Sequence, residues 1–191
     1  SQDGVEIDWE KTLDKLQDKL LDTRERHHDV TYNDRKATYT TEMAEKATFD
    51  DVMGEFSTDG FASDSGVNIR RVAEQVNGAI VLPGETFSLN GYTGPRGEAQ
   101  GYVDAGVIQD GHADTAVGGG ISQFATTLYN ASYFAGMEDV AHTAHSYYIS
   151  RYPAGREATV YEGAIDLQFK NTFDTPVLIQ ASADSSSVSV K

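Results

Sequence analysis

The sequence predicts an α+β fold in which helices come first and an antiparallel sheet follows. Apolar residues recur at helical spacing in the earlier part of the chain, and after Gly136 they alternate with polar residues at the period of a strand. Strands that are joined by short turns pair antiparallel by default. The 191 residues are enough for one large domain, or for one domain with an appendage.

The helices are predicted from apolar residues that are spaced three or four apart. Asp8 is the expected N-cap of the first helix, and Asn77-Gly78 is a typical stop for the third. The last helix follows three consecutive glycines. The predicted helices cover residues 9–21, a short stretch ending at 47, residues 67–76 and residues 121–135.

Strands are predicted wherever the apolar period changes to two. The glycine-rich stretch 91–111 instead predicts ordered loops that run over a surface. The predicted strands cover residues 80–82, 145–152, 165–170, 177–181 and 187–191.

Charge and composition exclude several classes of function. Asp and Glu number 30 against 15 Lys and Arg, a net charge of −15, and nucleic acid is therefore excluded as a partner because its phosphates need a basic surface. The chain has no cysteine, so it forms no disulfide and no thiolate metal site. The phosphate-binding and HExxH motifs are absent, and His142-x-x-His145 lacks the further ligands that zinc needs. The sequence predicts no cofactor and no metal.

The segment GGGISQFATTLYN, residues 118–130, carries the strongest local signal. Glycines let the backbone approach a ligand closely, and the N–H groups at a helix start can hold a developing oxyanion. Ser122 is therefore a candidate nucleophile, with Gly118, Gly119 and Gly120 as the oxyanion loop. Gln123, Thr126 and Tyr129 follow on the same helix as candidate substrate contacts. The alternative is an ordinary helix that Ser122 merely caps.

A second cluster, AHTAHSYYISRYPAGREATV, covers residues 141–160 and contributes His142 and His145. A histidine on a strand that follows a nucleophile at a helix start is the chain order of papain-like enzymes. His145, or else His142, is the candidate general base, and Asp166 on a later strand is the candidate group that orients it. Taken singly, a histidine is more often a structural residue than a catalytic one, and this is the alternative for both.

Arginine is unevenly placed along the chain. Between Lys46 and Lys170 there is no lysine, and Arg96, Arg151 and Arg156 flank the two clusters. Because the planar guanidinium binds carboxylates through two hydrogen bonds, these three are candidates for holding carboxylates of a substrate. Ion pairs with nearby Asp or Glu residues are the alternative.

Six segments resemble the VanW family, which is named from bacterial vancomycin-resistance clusters. They occur in the family's order and together cover roughly residues 54–182. The resemblance divides the chain into a VanW-like domain over 54–191 and an N-terminal appendage over 1–53, which resembles the end of a peptidoglycan-binding region. The segments are GEFST (54–58), NGAIVLPGETFSLN (77–90), GPRGEAQGY (94–102), GGGISQFATTLYNA (118–131), HSYYISRYPAGREATV (145–160) and AIDLQFKN (164–171).

The resemblance implies an extracellular or cell-envelope protein that acts on peptidoglycan stem peptides and contacts the membrane only through a segment outside this chain. Many members carry cysteine at the position of Ser122, and some resemble L,D-transpeptidases that work through a cysteine acyl-enzyme. The serine resembles an actinobacterial variant. A serine hydroxyl needs an adjacent base, so the resemblance leaves three alternatives open: acyl transfer through Ser122, a peptidoglycan-binding or scaffold module without catalysis, and a structural domain in which Ser122 is buried.

Overall fold

The computed structural model describes residues 2–20, 28–109, 112–146 and 148–191. Two positions that the sequence assigned to regular elements, Leu21 and Tyr147, lie outside these ranges. The chain divides into two compact units, Ser1–Thr48 and Phe49–Lys191. None of the helices within the described ranges has the length and apolar character needed to cross a membrane.

The first unit is small and consists of two strands and two helices. β1 and β2 pair antiparallel, from Gly4 opposite Arg35 to Ile7 opposite Tyr32. Asp8 is confirmed as the N-cap of the first helix, since its carboxylate accepts the N–H of Lys11 at 3.0 Å. The elements are β1 (Gly4–Ile7), α1 (Trp9–Lys19), β2 (Tyr32–Arg35) and α2 (Thr41–Lys46).

The second unit holds the remaining elements and confirms the α+β class. Within the described residues, all its strand pairs are antiparallel. The elements are β3 (Phe56–Asp59), α3 (Ser63–Val76), β4 (Ala79–Val81), β5 (Thr86–Ser88), α4 (Leu89–Thr93), a 3₁₀ turn (Glu98–Gln100), β6 (Asp104–Gln109), β7 (His112–Val117), α5 (Ile121–Phe134), β8 (Glu138–Ala141), β9 (Gln168–Lys170), β10 (Val177–Ile179), β11 (Ala181–Ala183) and β12 (Ser187–Val190).

The strands form small sheets around the two long helices. β12 lies between β3 and β11, β9 lies between β5 and β8, β4 pairs with β10, and β6 pairs with β7. The core lies where α3 and α5 meet β12, and its apolar side chains are almost fully withdrawn from solvent, as are those of Ile69, Val72, Phe124, Leu128 and Val188. Burial of this apolar surface is the main stabilising contribution.

The glycine-rich stretch 91–111 differs from its prediction as surface loops. Much of it forms regular structure: α4 ends there, and β6 pairs with β7 from Asp104 opposite Val117 to Gln109 opposite His112. Glycine and alanine weaken the alternation that marks a strand, so the cross-strand partner determines this hairpin.

The predicted strand over 145–152 is absent from its described residues, which have no regular secondary structure. The papain-like order of a nucleophile helix followed by a histidine strand is therefore not found. β8 pairs with β9, and the segment that follows is bonded to α5 further along the chain, at Arg156, Ala158 and Val160, as described below.

Candidate functional site

A cavity of about 900 Å³ lies in the second unit, beside the start of α5. The β6–β7 hairpin forms part of its wall, and the irregular segment after β8 forms another part. Several residues that the sequence singled out line it: Arg96, Gly118, Gly119, Gly120, Ser122, Gln123, His145 and Arg151. The structure thus brings the glycine motif and one of the two histidines to one place.

The glycine turn is shaped by close packing. A Cβ atom on Gly119 would collide with the carbonyl oxygen of Ala105, and Gly120 has a φ of 85°, which side-chain-bearing residues rarely adopt. The buried Asn68 amide fixes the turn by donating to the carbonyls of Gly119 at 2.9 Å and Val103 at 2.8 Å. These contacts require glycine whether or not a ligand binds.

Only some of the predicted oxyanion amides are available. The N–H of Gly118 donates to Val103 O and that of Gly119 to Ala116 O, both at 3.0 Å. Within the described ranges, the N–H groups of Gly120 and Ser122 have no acceptor, as is usual for the first turn of a helix. An anion at this helix start would therefore meet these two amides.

Ser122 is half-buried and lines the cavity, which excludes the alternative of a sealed serine with no cleft beside it. Its Oγ lies 3.1 Å from Thr159 Oγ1 and accepts the N–H of Val160 at 3.2 Å. No imidazole in the described part of the chain is hydrogen-bonded to this hydroxyl.

Three polar residues of α5, which we call the α5 ladder, hold the segment that follows His145. Thr126 Oγ1 accepts the N–H of Ala158 and donates to its carbonyl, both at 3.0 Å. Asn130 Nδ2 donates to the carbonyl of Arg156 at 2.7 Å, and Ser122 is the third member through Val160. The ladder residues are four apart on the helix, an advance of about 6 Å, and their partners are two apart on the facing segment, an advance of about 6.6 Å if it is extended. The helix and the segment therefore stay in register.

The ladder corrects the role expected for Thr126. Its side chain is fully buried, lies outside the cavity lining and satisfies both backbone groups of Ala158. We therefore assign it to holding the cavity wall. Gln123 lies on the lining, where its amide donates to Asp59 O at 2.8 Å and accepts the Tyr152 hydroxyl at 3.3 Å.

His145 is paired with a carboxylate that the sequence analysis missed. Its Nδ1 lies 2.8 Å from Glu157 Oε2, and both side chains are only 9% exposed; we call them the inner pair. The Tyr152 ring stacks on the imidazole at 5.7 Å. Glu157 lies in the same HSYYISRYPAGREATV segment as His145, and that common segment is the signal that could have identified it.

Asp166 does not have the orienting role that the sequence predicted. Its carboxylate accepts the Ser88 hydroxyl at 2.6 Å and the backbone N–H groups of Asn90 and Leu167 at 2.9 Å. Asp166 organises the start of α4, where free N–H groups attract an acidic side chain. Glu157, and not Asp166, is the carboxylate that lies beside His145.

His142 lies in a different cluster. Its Nδ1 is 2.6 Å from Asp139 Oδ2, and we call these two residues the outer pair. Tyr129 stacks on His142 at 4.3 Å and donates its hydroxyl to Asp139 at 3.2 Å. Burial, and then the nearby Asp139 carboxylate, raise the pKa of Tyr129 to about 12. Neither His142 nor Tyr129 is among the described residues that line the cavity, which corrects their predicted roles.

The three candidate arginines lie in different surroundings. Arg96 is 6% exposed and donates to Thr93 Oγ1 at 3.0 Å and Asn90 Oδ1 at 2.7 Å, and burial lowers its pKa. Arg151 lies over the Tyr152 ring at 4.9 Å. Arg156 lies over Phe134 at 4.9 Å, outside the cavity lining, so its predicted substrate contact is not supported. None of the three forms an ion pair with a carboxylate of a described residue.

Within the residues that the structure describes, no group of three or more His, Asp or Glu side chains is arranged to hold a metal ion. The cavity and the residues beside it offer a hydroxyl, an imidazole–carboxylate pair, two free amides and a buried guanidinium.

These features define the second unit as an α+β domain with a hydroxyl- and imidazole-lined cavity beside a helix start. Residues 64–191 match the family model described as VanW like protein, and the chain belongs to the VanW family.

Two curated relatives each match about 60% of the chain. An uncharacterized protein of Bacillus subtilis, YoaR, is 40% identical over 114 residues, which are 60% of this chain and 38% of the relative. The vancomycin B-type resistance protein VanW of Enterococcus faecalis is 27% identical over 124 residues, 61% of this chain and 44% of that protein. The chain thus spans less than half the length of either relative. No solved structure matches it significantly.

Proposed function

We propose that this domain acts on peptidoglycan stem peptides at the cell envelope, and that the cavity holds a peptide for acyl transfer of the L,D-transpeptidase type at Ser122. Membership of the VanW family and a relative named for vancomycin resistance support a role connected with the cell wall. The observation that carries the catalytic part is that Ser122 and the buried His145–Glu157 pair line or adjoin one cavity.

The reaction uses groups that the cavity already contains. Ser122 Oγ attacks the carbonyl carbon of a peptide bond while its proton passes to Nε2 of His145, either directly or through one water. The N–H groups of Gly120 and Ser122 hold the oxyanion. The C–N bond then breaks, and the departing amine takes the proton from the imidazole. An acceptor amine attacks the resulting ester in the reverse sequence and restores the Ser122 hydroxyl.

The acidic surface does not prevent such binding, because the cavity carries Arg96 and Arg151 among its lining residues. Their guanidinium groups offer positive charge and donors to a peptide's carboxylates. We further propose an extracellular position, with any attachment to the membrane provided by a segment outside this chain.

A second function, peptide binding without turnover, is favoured by the bonds of Ser122. Its Oγ accepts the N–H of Val160 much as Thr126 accepts that of Ala158, so the hydroxyl has a structural use as well. In this case the same cavity recognises the wall peptide, and Ser122 holds the segment that bears Glu157.

Incubation with purified muropeptides separates the two functions. Acyl transfer predicts new cross-linked or exchanged products by mass spectrometry, lost in Ser122→Ala while calorimetric binding persists. Binding without any product in the wild-type protein would establish the second function. Absence of both binding and product would overturn the assignment to stem peptides.

A further inference from the structure

The inner pair carries an inference that rests on the proposed function and extends it. We propose that Glu157 is a positioning residue that fixes the proton of neutral His145 on Nδ1 and so leaves Nε2 as the ring atom that accepts a proton from Ser122. The carboxylate oxygen lies 2.8 Å from Nδ1, which is hydrogen-bond distance.

The chemistry of the carboxylate determines which nitrogen is protonated. An ionised carboxylate can only accept hydrogen bonds, whereas a neutral imidazole has one donor nitrogen and one acceptor nitrogen. A hydrogen bond between them therefore requires Nδ1–H, and the lone pair is left on Nε2. No protein group in the described ranges is bonded to Nε2 of His145.

Burial strengthens the preference of His145 for the tautomer that is protonated on Nδ1. Each side chain of the inner pair is 9% exposed, so water competes little for either partner. The Tyr152 ring covers one face of the imidazole, and Asn130 and Thr126 hold the backbone on both sides of Glu157 through Arg156 and Ala158. The position of the carboxylate is thus set from α5, independently of any substrate.

The outer pair supplies a matched control within the same molecule. His142 Nδ1 lies 2.6 Å from Asp139 Oδ2, but the side chains are 28% and 41% exposed, and neither is among the described residues that line the cavity. Neutralising Asp139 removes a carboxylate from a histidine without touching the inner pair.

Nitrogen NMR of the folded protein with isotopically labelled histidine tests the proposal. At a pH where the rings are neutral, His145, assigned by its loss in His145→Gln, shows protonated Nδ1 and bare Nε2. Glu157→Gln gives a mixture of both tautomers because an amide can either accept or donate, whereas Asp139→Asn leaves His145 unchanged. A wild-type His145 with bare Nδ1, or a Glu157→Gln spectrum identical to wild type, would overturn the proposal.

Kinetics add a readout that a purely structural role would not move. With muropeptide as substrate, kcat of Glu157→Gln falls about 100-fold or more while KM stays near the wild-type value. Unchanged kcat would contradict the positioning role. If the wild-type protein shows the expected tautomer but no turnover, the proposed acyl transfer fails and the tautomer assignment stands.

Discussion

The two histidine–carboxylate pairs show how little a contact distance says about function. His142 and His145 are three residues apart, and their Nδ1 atoms lie 2.6 and 2.8 Å from a carboxylate oxygen. The inner pair is nearly closed to water and adjoins a cavity that also contains Ser122, whereas the outer pair is partly exposed and stacks on Tyr129. Solvent exposure and access to the cavity, more than the distance from Nδ1 to the carboxylate, distinguish the candidate base His145 from His142.

The α5 ladder explains why the surroundings differ. Thr126 and Asn130 fix the backbone that carries Glu157, and this keeps the carboxylate beside His145. His142 follows β8 directly and contacts α5 through the Tyr129 ring instead.

The largest difference is expected when the two histidines are replaced in turn. If acyl transfer proceeds as proposed, His145→Gln is expected to lower its rate about 100- to 10,000-fold, because the proposed general base is removed. His142→Gln leaves the rate within a few fold of wild type, since this ring lies away from the cavity. Product formation from muropeptides, followed by mass spectrometry, measures both. Equal losses in the two variants would contradict the distinction.

Thr126→Val tests whether the ladder holds the inner pair. The valine has the same shape but leaves the N–H and the carbonyl of the buried Ala158 without partners, at a cost of roughly 1–3 kcal/mol for each group. Urea unfolding measures the loss. Ser132→Ala is the control, because the Ser132 hydroxyl donates within its own helix, to Tyr129 O at 2.9 Å, and does not bond to the segment that carries Glu157 in the described structure. A Thr126→Val protein as stable as this control would show that the ladder does not support the segment.

Removing one carboxylate from each pair gives a smaller difference in stability. Glu157→Ala strands a buried imidazole N–H and lowers the free energy of unfolding by about 1–3 kcal/mol. Asp139→Ala costs about 1 kcal/mol or less, because its side chain is 41% exposed and water replaces the bond. The comparison fails if chemical denaturation finds Asp139 to be the costlier loss.

The smallest effect concerns the ionisation of Tyr129 beside the outer pair. Its pKa is raised from 10 to about 12, so its contribution to stability is complete below pH 10 and is lost as pH rises through 12. Asp139→Asn lowers this pKa only in part, since burial is the larger cause. The ultraviolet titration of tyrosinate, with Tyr129→Phe subtracted, measures the shift. A normal titration of Tyr129 would contradict its burial beside Asp139.

Much of the fold follows from local patterns in the sequence. The long helices α3 and α5 carry a full apolar stripe, and β9, β10 and β12 lie in the stretches that were predicted to alternate, so their existence was predictable from periodicity. β11 was not predicted as a separate strand. The β6–β7 hairpin was not, because small residues and glycine hide its alternation. The predicted strand over 145–152 failed in the opposite way: its residues alternate, but its described part forms no strand, and the bonds from α5 meet the backbone further along, at Arg156 and Ala158.

The site was predictable only where a motif lies within one short segment. Ser122, the glycines and His145 come from such segments and share the cavity. Glu157 was missed because choosing between it and Asp166 needs the path of an irregular chain, and Asp166 is bound instead at the start of α4. Thr126 and Tyr129 were predicted as substrate contacts because of their place on α5, but Thr126 is covered by Ala158 and Tyr129 by His142. Helical spacing shows which residues share a face of a helix but not what packs against that face.

Trapping the acyl-enzyme tests the central claim most directly. After brief incubation with a reactive stem-peptide mimic, intact-mass measurement and peptide mapping are expected to find one acyl group on Ser122, no adduct in Ser122→Ala, and a strongly slowed reaction in His145→Gln. A wild-type protein that binds the mimic in the cavity yet stays unmodified, or that is modified equally without His145, would contradict the account.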